Sequence, residues 1–254
     1  MNTPAMIIDF EATDVSKEAE ATQLGYRNVF FDERGMLWGD PLPLDREAPY
    51  SNYVFCKPDR AISYGAMAVS HILPVDVHNE LSHTEVADLL LPKGEAYIIG
   101  HNVDYDIQVA ANAGVNVSQY KRICTQAMAR SLMPDMDSHS LGALTYFIHI
   151  NRGRNHLRNT HNAGYDVTFT LWLLEHLCEL GNITSMEQLY LASEEARIPK
   201  IMPIGEEQGH KGKLIADMAR NTNDRGFLRW VVKTIKNRPY LVQACEKALE
   251  VKGG

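Results

Sequence analysis

The residues of this chain best suited to chemistry are two carboxylates in the segment Ile7-Ile8-Asp9-Phe10-Glu11. Side chains two apart on a β-strand point to the same face, so Asp9 and Glu11 would project together, with Phe10 on the other side. Two like charges this close repel each other, and no basic residue lies between them. A divalent cation is the natural compensation, because hard oxygen ligands suit Mg²⁺ or Mn²⁺. An isolated Asp-x-Glu, however, is more often a pair of solvated acids on an edge strand.

Two further clusters place a carboxylate beside Asn, His and Gly at the start of a predicted helix. The first, residues 100–106, follows a short apolar strand and contains Asp104 and Asp106. The second, residues 161–166, ends at Asp166 and opens a strongly apolar helix. An Asp at a helix N-terminus has an ordinary explanation in capping and in compensation of the helix dipole. We prefer that explanation for Asp104.

The elements that would position these clusters begin as strands and continue as an alternation of strands and helices. Apolar runs predict strands at Met6–Phe10, Asn28–Phe31 with a partner at Met36–Trp38, Tyr53–Cys56, Tyr97–Gly100 and Arg122–Thr125. Helical periodicity predicts helices at residues 63–72, 82–91, 104–113, 126–132, 138–148, 166–180, 185–196, 214–220, 226–235 and 240–251. This order is typical of an α/β fold with a mixed sheet flanked by helices.

The composition changes beyond Gly181, which indicates a first domain over residues 1–181 and a smaller, mainly helical region over residues 182–254. Residues 197–254 hold 12 Lys or Arg and 6 Asp or Glu, whereas the remainder holds 13 basic and 26 acidic residues. Such asymmetry favours a polyanionic partner for the C-terminal region, such as a nucleic acid. A merely solvated basic helical surface explains it equally well.

Composition excludes several other classes of protein. The four cysteines are far apart and form no CxxC pair, so neither a zinc ribbon nor a disulfide framework is indicated. The N-terminal stretch reaches Asp9 without a signal-peptide core, and no uncharged apolar run approaches the roughly 20 residues of a membrane span. We therefore expect a cytoplasmic protein with no membrane partner.

Three motifs together resemble the exonuclease motifs of the DEDDh family, in the usual order. They are Asp9-Phe10-Glu11, His101-Asn102-x-x-Tyr105-Asp106 and His161-x-Ala163-x-x-Asp166. Each fragment is weak, but the ordered set is specific and covers roughly residues 6–180. Stretches at residues 57–63, 123–125, 129–134 and 226–230 are most similar to the bacterial exonuclease X members. The resemblance implies a ribonuclease H-like fold and 3′→5′ removal of nucleotides from DNA single strands or DNA 3′ ends.

The same resemblance implies a two-metal-ion site for Mg²⁺ or Mn²⁺, held by Asp9, Glu11, Asp106 and Asp166. Asp9 would bridge both cations, Glu11 and Asp166 would share the cation that activates water, and Asp106 would serve the other. His161 would be the general base, since an unperturbed imidazole pKa of about 6.5 suits that task near neutrality. An orienting role is the alternative for His161, and His101 would make local hydrogen bonds.

Candidates for contact with nucleic acid lie beside these motifs and in the Arg-rich loop upstream of His161. They are Phe10, Ala12, Thr13, Asn102, Arg154 and Arg158. A solvated loop explains the arginines equally well. Phe227 and Trp230 could stack on bases, although packing in a helical core is the stronger interpretation.

Other functions remain open. An RNA-trimming relative differs in contacts to the 2′-hydroxyl, which the sequence does not reveal. A non-catalytic nucleic-acid-binding or proofreading module is a different class, but all four acids and the histidine are present. Residues 35–53 and 205–212 look longer than in exonuclease X, and Asp14 stands where many relatives have Gly.

Overall fold

A computed structural model describes residues 3–40, 52–151, 154 and 161–250. Its strands are β1 (Ala5–Ala12), β2 (Ala21–Phe31), β3 (Leu37–Gly39), β4 (Asn52–Phe55), β5 (Ala96–Gly100) and β6 (Tyr120–Cys124). The first helices are α1 (Tyr64–Ser70), α2 (Pro74–Val77), α3 (His83–Leu90), α4 (Asp104–Asn112), α5 (Thr125–Leu132) and α6 (Leu141–Ile148). They are followed by α7 (Ala163–Gly181), α8 (Met186–Arg197), α9 (Ile215–Arg220), α10 (Thr222–Thr234) and α11 (Pro239–Glu250).

The strands form one mixed sheet in the order β3-β2-β1-β5-β6, and β4 also pairs with β2. β2 is antiparallel to β1, whereas β5 is parallel to both β1 and β6. β3 and β4 share the outer edge of β2, because β3 pairs with Val29–Phe31 and β4 pairs with Gln23–Tyr26. The predicted α/β fold with a mixed sheet flanked by helices is confirmed.

The central strand β1 is covered on both faces, which explains its apolar start. Met6, Ile8, Phe10 and Ala12 face a buried cluster that includes residues of α3 and α4. Helix α7 contacts β1 and β2 and is itself buried along nearly its whole length. Asp9 and Glu11 alternate with that core-facing set, so the strand presents its carboxylates on the other face.

Several element boundaries differ from the sequence prediction, and three of these differences have clear local reasons. β2 starts at Ala21 rather than Asn28, because its buried first half contains Thr22, Gln23 and Gly25 and lacks an apolar signal. Helix α7 is closed by Asn182 in the left-handed conformation (φ 50°), one residue after Gly181. Helix α10 begins at Thr222, because the Asn221 side chain accepts hydrogen bonds from the next turn.

The chain divides into two compact units, Met1–Ser193 and Glu194–Gly254. The division falls inside helix α8, whereas the sequence placed the end of the first domain at residue 181. The second unit has its own buried core, formed by Met202, Ile215, Met218, Leu228, Val231, Leu241, Ala244 and Cys245. All four cysteines of the chain are free and buried. Within the described ranges, no helix combines the length and the apolar character needed to cross a membrane.

Candidate active site

The site lies where β1 extends past the end of its parallel neighbour β5. The two strands pair only over Ala5–Ile7, while β1 remains paired with β2 as far as Ala12. Asp9 and Glu11 lie in this protruding stretch. The backbone N–H of Phe10, between them, donates to Asp106 Oδ1 at 2.9 Å in a buried hydrogen bond. The first turn of α4 is thereby attached to the strand segment that carries both acids.

The other helix of the site, α7, docks onto β2 directly opposite the two acids. Gly25 pairs with Asp9 across the strands and Gln23 pairs with Glu11. A Cβ on Gly25 would lie 2.1 Å from the carbonyl oxygen of Ala163, so only glycine permits this approach. Gln23 Oε1 accepts a buried hydrogen bond from the Ala163 N–H at 2.8 Å. β2 therefore holds the start of α7 beside the acids of β1.

This docking brings His161 and Asp166 to Glu11. The backbone N–H of His161 donates to Asp166 Oδ2 at 3.1 Å, and His161 adopts φ 64° in the left-handed region. An imidazole nitrogen of His161 and one carboxylate oxygen each of Glu11 and Asp166 lie within 4.8 Å of one another. The His161 side chain is exposed, whereas Asp166 is buried. The imidazole therefore stands at the solvent side of the acids.

Burial and mutual repulsion make these carboxylates hard to ionise in the protein alone. Burial raises the pKa of Asp9 to about 7. Burial, followed by the charges of Asp9, Asp166 and Asp106, raises the pKa of Glu11 to about 9. The pKa values of Asp106 and Asp166 are raised by burial and then by the charge of Asp9, although the backbone hydrogen bonds from Phe10 and His161 act the other way. The four acids thus form one electrostatically coupled group.

Positive charge from the protein does not relieve this repulsion. Across the part of the chain that the structure describes, none of the four carboxylates forms an ion pair with Lys or Arg. A buried group of hard oxygen donors with no protein cation fits divalent cations of the Mg²⁺ or Mn²⁺ type. The four carboxylates therefore fit the divalent-cation site that the resemblance implies.

His101, in the other histidine-containing motif, is fixed in place. Its Nε2 donates to the carbonyl oxygen of His139 at 2.9 Å, and its Nδ1 lies 3.1 Å from Thr125 Oγ1. Burial lowers the pKa of His101 to about 4. The predicted local hydrogen bonding of His101 is therefore confirmed.

The three candidates for nucleic-acid contact on and after β1 have buried side chains. Phe10 and Ala12 belong to the core cluster on the face opposite the acids. Thr13 is fully buried, and its hydroxyl accepts a hydrogen bond from the Glu20 N–H at 3.1 Å. In this conformation their side chains are not open to a ligand, and contact by these residues stays a prediction.

The remaining candidates are more open. Asn102 is exposed at φ 72°, and its carbonyl oxygen accepts from the Tyr105 N–H at 3.1 Å. Arg154 is exposed. Arg158 lies outside the described residues. Nucleic-acid contact by Asn102 and Arg154 also stays a prediction.

Sequence reasoning missed the two residues that dock α7, Gln23 and Gly25. The sequence prediction places no strand between Phe10 and Asn28, so it does not reveal their pairing with Glu11 and Asp9. A glycine inside a strand often marks a close approach by another backbone, and that signal would have pointed to Gly25 once the strand was recognised.

Comparison with known proteins gives one family model and a set of solved structures. The model of the DEDDh_C family, described as DNA polymerase III subunit epsilon-like, C-terminal domain, matches residues 68–177. No curated protein matches the sequence significantly.

Among solved structures, exonuclease X in complex with 5′ overhanging duplex DNA matches with a TM-score of 0.54 and 22% identity, covering 74% of this chain and 99% of that one. Exonuclease I of E. coli, solved with zinc and single-stranded DNA, matches with a TM-score of 0.57 and 18% identity over 79% of this chain and 44% of that one. Exonuclease I of Methylocaldum szegediense gives a TM-score of 0.52 and 17% identity over 86% and 46%. The chain thus spans less than half of the exonuclease I chains, and at these identities the matches show the shared ribonuclease H-like fold.

Proposed function

We propose that this chain, which matches the DEDDh exonucleases in motifs, fold and family model, is a metal-dependent 3′→5′ exonuclease that hydrolyses DNA single strands or 3′ ends to nucleoside 5′-monophosphates. One observation carries the proposal. The four acids reach the protruding end of β1 from three separate segments of the chain, and His161 stands beside two of them.

Asp9, Glu11, Asp106 and Asp166 are the residues that would hold two divalent cations. When bound, such cations neutralise charge that develops on a phosphodiester and lower the pKa of a water. Each buried helix carboxylate already has one oxygen occupied by a backbone N–H, namely Asp106 Oδ1 by Phe10 and Asp166 Oδ2 by His161. These hydrogen bonds fix the carboxylates in position and leave the second oxygen of each for the site.

His161 is the general base of the proposal. Its backbone is tied to Asp166, and its exposed side chain stands beside the carboxylates of Glu11 and Asp166. The imidazole would take a proton from the attacking water, and the neighbouring carboxylates would stabilise the imidazolium that forms. Its position at the solvent side allows that proton to leave after each turnover.

The buried free cysteines support a reducing, cytoplasmic setting for this activity. The choice of DNA as substrate is supported by the likeness to exonuclease X and exonuclease I, both of which have been solved with DNA.

The test is a time course on 5′-labelled single-stranded DNA, duplex DNA and RNA, with Mg²⁺, Mn²⁺ or EDTA. We expect a ladder that shortens from the 3′ end, is abolished by EDTA and is absent with Asp106→Ala. Fastest cleavage of RNA would replace DNA with RNA as the substrate class. Absence of cleavage together with metal binding and tight DNA binding would favour a non-catalytic module.

A further inference from the structure

The second unit carries a stack of three aromatic rings that ends at the protein surface. The ring centroids of His210 and Phe227 lie 4.1 Å apart at an interplanar angle of 24°. Those of Phe227 and Trp230 lie 5.3 Å apart at 23°. Trp230, the outermost ring, is 46% exposed. A large planar ring is thus presented to solvent by a series of parallel rings beneath it.

The inner part of this stack is firmly held. Phe227 packs against the core of the second unit. Gly205, at φ 82°, lies so close that a Cβ there would be 2.7 Å from Phe227 Cζ. His210 Nδ1 lies 3.1 Å from Asp224 Oδ1, to which Lys213 Nζ also donates at 2.9 Å. The orientation of the exposed ring therefore rests on fixed neighbours.

A glycine, Gly226, lies about one turn before Trp230 in the same helix. At about 3.6 residues per turn, Phe227 lies on one side of Trp230, while Gly226 and Lys233 lie on the other. A Cβ on Gly226 would meet no other atom within 4 Å. Glycine in a helix interior is destabilising relative to alanine, and packing does not require it here. A methyl group at this position would therefore not reach the indole, whereas a long side chain would extend toward the neighbouring Trp230 ring.

The chain segment that carries this ring is rich in basic residues. Residues 220–238 hold six Lys or Arg and a single acidic residue, Asp224, which already faces Lys213 and His210. Four exposed basic side chains in this segment form no ion pair with any described residue: Arg229, Lys233, Lys236 and Arg238. These four basic side chains are therefore available to bind an anionic ligand.

We propose that the second unit binds single-stranded DNA, with a base stacked on the free face of Trp230 and adjacent phosphates bound by Arg229 and Lys233. An exposed aromatic ring flanked by unpaired cations matches a strand that alternates planar bases with phosphates, and stacking of this kind tolerates any base sequence. A duplex keeps its bases inside and offers no free face to the indole. The inference rests on the proposed function only for the choice of DNA.

The test is the affinity of the full-length chain for a fluorescent oligothymidylate, measured by anisotropy in EDTA so that no strand is cut. Trp230→Ala should weaken binding about tenfold, the order expected for one stacked base, and Trp230→Phe should retain most of the affinity. Trp38→Ala is the matched control, because Trp38 is 51% exposed in the first unit. Thermal melting verifies that each variant is folded.

A strand of the same length without bases separates stacking from charge. On that abasic strand, Trp230→Ala should bind as the parent protein does. Gly226→Leu should weaken binding to oligothymidylate while it stabilises the helix, a combination that a purely structural glycine would not give. Replacing both Arg229 and Lys233 by Gln should lower the salt dependence of binding by about 1.4 in log–log slope. Lys93→Gln, whose ammonium already pairs with Asp88, should leave that slope unchanged.

Unchanged affinity of Trp230→Ala for oligothymidylate would overturn the inference, as would an equal loss on the abasic strand or with Trp38→Ala. Because binding is measured without turnover, the result is independent of hydrolysis. A chain that cuts DNA but ignores Trp230 would retain the proposed function and lose this site, and a chain that binds through Trp230 but never cuts would do the reverse.

Discussion

Helices α4 and α7 enter the candidate site by similar routes, but they treat their histidines differently. Each is preceded by a residue with positive φ, Asn102 at 72° and His161 at 64°, and each carries a buried aspartate in its first turn. Before α4, His101 is partly buried and its ring is hydrogen bonded through both nitrogens. Before α7, His161 is exposed and its ring is near Glu11 and Asp166.

The difference shows that two similar sequence motifs can place their histidines in different environments. Burial and two hydrogen bonds make the His101 ring part of the support for α4, with a pKa lowered to about 4 by that burial. The left-handed backbone at His161 instead directs the chain so that the imidazole stands over the carboxylates. Only the second arrangement leaves a ring free to exchange protons with solvent.

Replacing each histidine by alanine should give the largest difference between the two helices. We expect His161→Ala to lower kcat by about 10²–10⁴-fold, the usual contribution of a general base, while Mg²⁺ binding measured by calorimetry persists. His101→Ala should keep kcat within an order of magnitude and instead lower the free energy of unfolding by about 1–3 kcal/mol, because its buried partners lose their hydrogen bonds. Equal losses of kcat in the two variants would contradict the distinction between them.

The close docking of α7 depends on Gly25, because a larger residue there would clash with the backbone of α7. Among the described residues, no glycine beside α4 makes a comparable contact with backbone. Gly25→Ala would place a methyl group 2.1 Å from the Ala163 carbonyl oxygen, so the start of α7 must shift. A displacement near 1 Å at a catalytic group costs about 10²-fold in rate. Steady-state kinetics should show this loss in kcat. Gly114→Ala, near the end of α4 where a Cβ would meet nothing within 4 Å, is the control and should affect stability without affecting kcat.

Burial of Asp9 at the site between the two helices should make the protein less stable as the pH rises in the absence of metal. The pKa of Asp9 is raised from 3.8 to about 7 on folding, so the folded chain keeps a proton that the unfolded chain has lost. The stability from this group is fully present below about pH 4 and is lost as the pH rises to about 7. Melting curves in EDTA should show this decline, and Asp9→Asn should flatten it. A Tm that rises over this interval in the parent chain and is unaffected by Asp9→Asn would contradict the assignment.

The smallest expected effect concerns the exposed residue before α4. Asn102→Gly preserves the positive φ and removes only the amide, so the fold should be unaffected. If Asn102 makes the predicted contact with nucleic acid, loss of one hydrogen bond should raise KM about 2–10-fold at unchanged kcat. An unchanged KM on single-stranded DNA would remove Asn102 from the binding residues.

The four acids could be singled out from sequence because their motifs, taken together and in order, resemble a known family, whereas each segment alone carries only a weak local signal. Asp9 and Glu11 follow an apolar run, and Asp106 follows an all-apolar strand. Gln23 and Gly25 could not be predicted, since their importance depends on pairing with β1 and on contact with Ala163, far along the chain. Hydrophobic periodicity predicts each helix or strand separately and does not indicate contacts between elements that are distant in the sequence.

In the fold, too, features set by neighbouring residues could be predicted, and features set by residues distant in the sequence could not. Ser82 and Glu85 form a capping box at the start of α3, and Gly35 has a positive φ (73°) in the turn before β3; both features depend on residue types within a few positions of one another. The sharing of the β2 edge by β3 and β4, in contrast, depends on the length of β2, whose 11 residues pair with β4 near one end and with β3 near the other. No local pattern in either short strand specifies it.

The two hydrogen bonds that assemble the acids join residues far apart in the sequence. Phe10 and Asp106 are 96 positions apart, and Gln23 and Ala163 are 140 positions apart. A chain emerging from the ribosome therefore holds Asp9 and Glu11 long before Asp166 exists. The acids can meet only after most of the first unit has been synthesised and folded, so the site forms late in the synthesis of that unit.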